Sequence, residues 1–574
     1  LAHSVSGEAS PIGFASEFER LAQRCPTETE LAVAQRVSDK RSVWVEGLRP
    51  ESLPNMAVAL SSGLNLKVLF VSPSPALTLQ RQTRLGMRGP CRLLSERPQR
   101  NREAADSKQS FTYWCAPHQL DPQTIRRLIG AEGPLLIVVE DAHVATGASS
   151  SFRPSYQRLS KVLETWPEAQ VLASSPPLDI DTKKSASQAL GIKKWTNLRH
   201  LKTALLSECD FWNKGDLELR VEQDEKAVMA AIIGPLPRPA LVLCGTPAQA
   251  DAVYGELTVA QVPVHRFHSG MSVGDRAREL LHFALPGRRA IMVAVSAFSP
   301  EDSLLADLSP SPSSRIPETF GRGYARDDLR SIVHLCAPYS LSQYAQELSL
   351  LAMPTGESRT ALLHFDPSHL ILNSALLERK RPSPALLVGV LAHLLGRAKG
   401  SCFGERELSD ALGYSPKQLG TIIAYLQDAG ALESKPEGLS VALPAEQLKQ
   451  LVEQLLKDLE RLIAGDPQRL QQVEDYAIAQ GCRIQSLLGP FDRSSLAKAC
   501  GRCDACAPEK EQQSLELGSI AAKTLSIEPN IETRSLSRRP HVRAGKGSAE
   551  TPDQADDQVS KRGEVKDEAL LDQA

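Results

Sequence analysis

Aromatic side chains are scarce in this chain: Phe, Tyr and Trp make up 5% of its 574 residues. That scarcity limits any surface that grips nucleic acid by stacking bases on rings. Net charge is scarce as well. Lys and Arg number 66 against 68 Asp and Glu, a formal charge of −2. Binding to a polyanion therefore has to come from local patches, not from the field of the whole molecule. Long apolar runs are missing too. The longest, Ala385 to Leu395, falls far short of the ~20 residues of a membrane-spanning helix. No basic stretch followed by an apolar one opens the chain, so no secretory leader is expected. With 11 cysteines and no leader, the expectation is a reducing interior: a cytoplasmic protein, nucleoid-associated if bacterial, without a membrane partner. No internal repeat is found.

What the chain does carry is a compact cysteine cluster. Cys500, Cys503 and Cys506 form two successive C-x-x-C steps, and Cys482 stands upstream. This spacing can direct three thiolates at one ion, with Cys482 as a fourth. Zn²⁺ favours four tetrahedral ligands of this soft type, and a site with no open position is structural.

Short apolar runs alternate with amphipathic stretches over the first two thirds of the chain. Lys67–Val71, Leu135–Val139 and Gln170–Ala173 read as buried strands, each followed by a turn and a helical pattern. Ala240–Cys244, Ala290–Ala294 and Ser331–Leu335 form a second set. This alternation predicts two α/β lobes with parallel sheets, at 13–205 and 206–366. A Ser/Pro-rich insertion at 298–319 interrupts the second lobe as an exposed loop. At 384–446 the pattern changes to helices near Ala385–Leu395, Glu405–Leu412 and Lys417–Ala429, followed by an alternating tail. That is the pattern of a winged helix with Lys417–Ala429 as recognition helix, or of a plain three-helix packing module. Residues 447–498 read as helices leading into the cysteine module, the two together forming a zinc-binding segment at 447–508. The segment 509–574 is polar, charged and poor in aromatics, and is expected to be disordered, with a possible role in holding protein partners.

The cysteine cluster with Cys482-Arg483 upstream resembles the zinc-binding module of RecQ-family DNA helicases. The resemblance extends back over most of the chain. Val138-Val139-Glu140-Asp141-Ala142-His143 looks like the family's DEAH box, and Phe152-Arg153-Pro154-Ser155-Tyr156 like the run after it. His268-Ser269-Gly270-Met271, Arg276, Phe283 and Ile291-Met292-Val293-Ala294 resemble motifs IV and V. Phe320-Gly321-Arg322-Gly323 and Asp328-Leu329-Arg330 continue motif V, and Tyr344-Ala345-Gln346-Glu347 opens motif VI. The resemblance implies two RecA-like lobes, ATP with Mg²⁺ as cofactor, and DNA as partner in repair or recombination. It implies Glu140, Asp141 and His143 as the catalytic set and Ser52 as a Mg²⁺ ligand. As DNA contacts it implies Ser72 and Gln82 in a motif Ia-like run, Arg153, His268 and Arg276, with Lys417 on the helix of the winged module.

Several family features are changed. The stretch matching the P-loop is Val45-Glu46-Gly47-Leu48-Arg49-Pro50-Glu51-Ser52. Only Gly47 offers backbone freedom, Pro50 removes an amide donor, and Glu51 stands where the phosphate-binding lysine belongs. Glu140 and Asp141 exchange the order of the family's carboxylates. Motif III reads Ala173-Ser174-Ser175-Pro176. In motif VI, Leu350 and Met353 occupy the positions of two arginines. The expectation is a RecQ-like DNA-binding protein whose ATP hydrolysis is impaired or lost. An active ATP-dependent 3′–5′ DNA helicase is the alternative, and a structural interaction platform without DNA binding is the second alternative.

Overall fold

The computed structural model describes residues 11–48, 51–73, 91–94, 111–130, 135–149, 152–194, 217–285, 287–295, 328–351, 358–491 and 499–507, with positions 78, 85, 86, 89, 196 and 197. Arg49, Pro50, Gln82, Met353, the insertion 298–319, the run 320–323 and the segment 509–574 lie outside these residues, as does the side chain of Lys417. The chain divides into two units, Leu1–Lys523 and Thr524–Ala574. Every described residue belongs to the first.

Unbroken runs of Val, Leu and Ile have no polar face to turn to water, so strands made of them need cover on both sides. The first lobe meets that need. Its strands are β1 (Val43–Glu46), β2 (Lys67–Val71), β3 (Cys91–Leu93), β4 (Thr112–Cys115), β5 (Leu135–Val139), β6 (Gln170–Ser175) and β7 (Thr196–Asn197). They lie in the order β3-β4-β2-β5-β6-β1-β7, every pairing parallel. Side chains alternate across the pleat. Val68, Phe70, Leu136 and Val138 pack with α1 (Pro11–Ala22), α2 (Glu28–Ser38) and α3 (Ser52–Gly63). Leu69, Val71, Ile137 and Val139 pack on the other face with α4 (Pro122–Ile129), α5 (Leu159–Thr165) and α6 (Ile180–Ala189). Strand β6 runs two residues past its expected end, because Val45 and Glu46 continue the pairing to Ser174 and Ser175.

The second lobe repeats the plan. Strands β8 (Leu217–Glu222), β9 (Ala240–Cys244), β10 (Val264–Phe267), β11 (Ile291–Val295), β12 (Ser331–His334) and β13 (Arg359–His364) lie parallel in the order β10-β11-β9-β12-β13-β8. Helices α7 (Glu225–Ile233) and α8 (Pro247–Val259) cover one face. On the other face, α9 (Val273–Ala284) and α10 (Leu341–Leu348) share a core with Tyr476, Leu487, Cys482 and Cys503. The cysteine module thus completes the cover of the second sheet.

After α11 (Ser368–Lys380), three helices pack with a small antiparallel sheet. They are α12 (Pro384–Leu395), α13 (Glu405–Leu412) and α14 (Pro416–Ala429), with strands β14 (Cys402–Phe403), β15 (Leu432–Lys435) and β16 (Gly438–Val441) in the order β14-β16-β15. Among the described residues no helix is long and apolar enough to cross a membrane.

From 447 to 491 the chain is largely helical. A single helix, α15 (Ala445–Ile478), runs for 34 residues, about 50 Å at 1.5 Å per residue, before α16 (Arg483–Leu488). Such a length gives one helix three neighbours in succession. Leu448, Val452, Leu455 and Leu459 pack in the three-helix module, and Val473 and Ala477 in the second lobe. Between them α15 touches the first lobe. Asp458 accepts from the Gly147 amide at 3.3 Å and from Gln157 Nε2 at 2.9 Å, and Arg469 donates to Ala148 O at 3.3 Å. The approach at Gly147 admits no side chain, since a Cβ there would lie 1.9 Å from the Asp458 carbonyl oxygen.

Candidate functional site

In parallel sheets, ligands gather at the carboxyl ends of the strands, where loops and helix starts converge. The altered P-loop run lies there, after β1. Gly47 takes a positive φ of 70° and donates its amide to Ser175 O at 2.9 Å. The motif III-like run is therefore tied directly to the turn that would cradle phosphates. Glu51 caps α3 through its backbone, its carbonyl accepting from Asn55.

Two cations already stand in this turn, and each has an anion. Lys183, on α6, is wholly buried and pairs with Glu46 at 2.5 Å. Arg24 forks onto Glu30 at 2.6 and 2.8 Å and donates to Ser52 Oγ at 3.2 Å. Burial pushes the Glu30 carboxyl up, but the bonds and charge of Arg24 outweigh it and hold it below its usual range. Ser52, the expected Mg²⁺ ligand, is fully buried and has a guanidinium on its hydroxyl, and a fixed cation there opposes a second one by Coulomb repulsion. Lys183, Glu46 and Arg24 were not singled out from sequence. A lysine in a short polar helix carries no signal of a partner about 140 residues away.

The DEAH-like carboxylates are buried at the end of β5. Glu140 Oε2 accepts from Ser72 Oγ at 3.2 Å, and Tyr156 OH donates to Glu140 O at 2.9 Å. Ser72 is thus joined to the carboxylate and buried with it. Asp141 adopts the left-handed conformation and accepts at 2.9 Å from Gln346 Nε2 of the second lobe. Ser342 Oγ adds a bond to Pro177 O at 3.0 Å. The first polar residue of the motif VI-like run therefore still reaches across the cleft. Leu350, where the resemblance implies an arginine, lies in the second lobe's core. Burial drives the His143 pKa down to about 3, so the imidazole stays neutral at physiological pH.

The other expected DNA contacts have partners of their own. Arg153 is buried and pairs with Asp428 of α14 at 3.4 Å, while the Ser155 amide donates to the same carboxylate at 2.8 Å. Arg158 adds a bond to Asp428 O at 2.9 Å. This cluster docks α14 on the first lobe. His268 is buried with Nε2 3.1 Å from Asp251, and Arg276 is buried against the carbonyls of Ser269 and Met271. Removing one partner of a buried, hydrogen-bonded pair typically costs about 3 kcal/mol or more. Asp428→Ala is accordingly expected to lower unfolding free energy by roughly that amount in urea titrations; a change within about 0.5 kcal/mol would show that the cluster does not hold the module.

At the far end of α15 the four cysteines converge. The sulfurs of Cys482, Cys500, Cys503 and Cys506 all lie within 4.8 Å of one another. Tetrahedral zinc with bonds of about 2.3 Å needs sulfurs about 3.8 Å apart, so the cluster fits such an ion. Backbone amides of Arg483 and Cys503 point at Cys503 Sγ and Cys500 Sγ, each at 3.4 Å, which supports thiolate charge. Arg483 holds Asp504 with two nitrogens at 2.8 and 3.0 Å and caps the α15 carbonyls of Tyr476 and Ala477. Asp504 in turn exchanges hydrogen bonds with Leu219 O and the Val221 amide on edge strand β8. The module can hold a metal ion, and it covers an open sheet edge.

Two parallel-sheet lobes thus bring these loops together at one cleft. No family model matches the chain. Its sequence is 21% identical over 445 residues to the probable ATP-dependent DNA helicase RecS of Bacillus subtilis, covering 74% of this chain and 78% of that protein. It is 19% identical over 276 residues to the ATP-dependent DNA helicase RecQ of Haemophilus influenzae, and 21% over 272 residues to that of Bacillus subtilis. These two matches cover 48% and 46% of this chain but only 39% and 40% of the relatives. The chain is thus similar to helicases of the RecQ type, at 19–21% identity. Among solved structures, the Mycobacterium smegmatis helicase Lhr bound to ssDNA and AMP-PNP aligns with a TM-score of 0.41 and 15% identity, over 77% of this chain and 62% of that one.

Proposed function

We propose that this protein binds DNA on a RecQ-type scaffold, in repair or recombination, and that its nucleotide site has lost productive ATP turnover. The observation that carries this reading is that the site neutralises its own charge. In a working P-loop, free amides and a lysine wait for phosphates. Here the Lys183 ammonium is matched by Glu46, and Arg24 is matched by Glu30 while holding the hydroxyl of Ser52. Among the described residues, a triphosphate entering this turn meets Glu51 and no unmatched lysine. Asp141 and Glu140 remain as carboxylates that could hold Mg²⁺, but the position meant to share that ion with them already carries a cation.

Zn²⁺ is the metal that four thiolates of this geometry favour, and its role is to fasten α15 and α16 to the second lobe. DNA binding falls to the three-helix module, which we read as a winged helix. The C-terminal half of α14 is occupied with the first lobe through Tyr425 and Asp428, whereas Ser415 and Gln418 at its start are exposed. Lys417 lies in that open turn, where a cation and helix amides both suit phosphate.

Fluorescence anisotropy with a labelled duplex, repeated across salt concentrations, tests this. Affinity is expected to fall linearly in log–log form as salt rises. Lys417→Glu should weaken binding to all sequences alike and lower the salt slope by about one. Absence of binding at low salt would leave only the interaction-platform reading; an unchanged slope in the variant would remove α14 from the interface.

A further inference from the structure

The first lobe has a second concave feature at the opposite end of its strands from the nucleotide-type site. It is a groove of about 890 Å³ at the amino ends of β1 and β6. Lys40 and Arg41 reach it from the turn between α2 and β1, and Lys193 and Lys194 from the chain after α6. All four side chains are exposed. Among the described residues none of them makes an ion pair or a side-chain hydrogen bond. Gathering four unmatched cations at one groove costs folding energy through mutual repulsion, which an anionic ligand would relieve. The surfaces beneath them are aliphatic: Leu163, Pro167, Val171 and Ile192 contribute, Val171 and Ile192 being buried. Two acids, Glu164 and Glu168, stand on the α5 side.

We propose that this groove binds an acidic peptide segment of a partner protein, its carboxylates on the four cations and its apolar side chains on the aliphatic floor. A nucleic-acid strand suits the groove less well. Among the described residues no aromatic ring lines it to stack a base, and Glu164 and Glu168 would face an unbroken row of phosphates. A peptide can space its charges to avoid that wall. This inference does not depend on the nucleotide site or on α14.

The test uses the whole 574-residue chain and a fluorescein-labelled peptide of about twelve residues that alternates Asp or Glu with Leu. The control peptide has Ser and Gln in place of the acids. The acidic peptide is expected to bind, more weakly as salt rises, and the control not to bind. The double variants Lys40→Glu/Arg41→Glu and Lys193→Glu/Lys194→Glu should each lower affinity about tenfold or more. Glu164→Lys/Glu168→Lys should raise it, which separates a true contact from general damage. Zinc content and circular dichroism identify variants that fail to fold. Two results would overturn the proposal: peptide affinity insensitive to every one of these reversals, or an oligothymidine of equal charge binding more tightly and responding to them in the same way, which would make the groove a nucleic-acid patch.

Discussion

Purified protein at saturating ATP is expected to release no phosphate above background, with or without DNA, and to unwind no duplex. Three features act on different steps. Glu51 stands where the resemblance to RecQ-type helicases implies a lysine, and two unit charges about 4 Å apart interact by about 4 kcal/mol at an effective dielectric near 20. Exchanging attraction for repulsion therefore shifts phosphate binding by roughly 8 kcal/mol before solvent relaxes it. Arg24 occupies the Ser52 hydroxyl that would bind Mg²⁺. Leu350 is sunk in the core of the second lobe, and a lost arginine finger is worth about 10³–10⁵ in rate. Restoring Glu51→Lys alone should leave the protein inactive, because it frees neither Ser52 nor Lys183 and supplies no arginine. The measurement is a coupled phosphate assay with a DNA titration. Turnover by the unmodified protein that Asp141→Asn abolishes would establish an active 3′–5′ helicase and sink this account.

Loss of the metal is expected to have the larger effect on stability. Structural zinc contributes roughly 10–16 kcal/mol of apparent binding free energy in small zinc modules. Here the ligands sit inside the core of the second lobe, with Cys482 and Cys503 among its buried side chains. Cys503→Ser should release about one ion per chain and loosen both α16 and the cover of edge strand β8, because Asp504 follows Cys503 and bonds Leu219 and Val221. Metal analysis with hydrogen exchange on the β8 amides reads both effects. Carefully purified protein that contains no zinc, or a variant whose β8 amides stay protected, would count against the assignment.

The sheets were legible because their central strands are short, unbroken apolar runs. Ala240–Cys244 and Leu135–Val139 begin and end where the sequence places them. The cysteine cluster was legible because its spacing is local. The self-neutralised turn was not. Glu46 and Lys183 are about 140 positions apart, and each is an ordinary charged residue until the fold buries them together. Arg153 shows the same limit from the other side. Its motif suggested a contact with DNA, while its charge is spent on Asp428, 275 positions away. The length of α15 was hidden for a further reason. Gly465 and Pro467 are poor helix formers, yet the helix continues through them, held by three successive neighbours that no local pattern records.

That helix has a mechanical consequence. A motor that walks along a strand needs two jaws that swing apart and together once per cycle, about a hinge that yields cheaply. Here one rod is fastened to both jaws. Asp458 and Arg469 hold it to the first at Gly147, Gln157 and Ala148, while Tyr476 and Ala477 bury it in the second. Swinging the jaws means tearing away either set of bonds or bending about 50 Å of helix, and no fuel-driven stroke is needed to keep them still. A molecule braced in this way is suited to gripping at a fixed width: a caliper set and locked, not a ratchet.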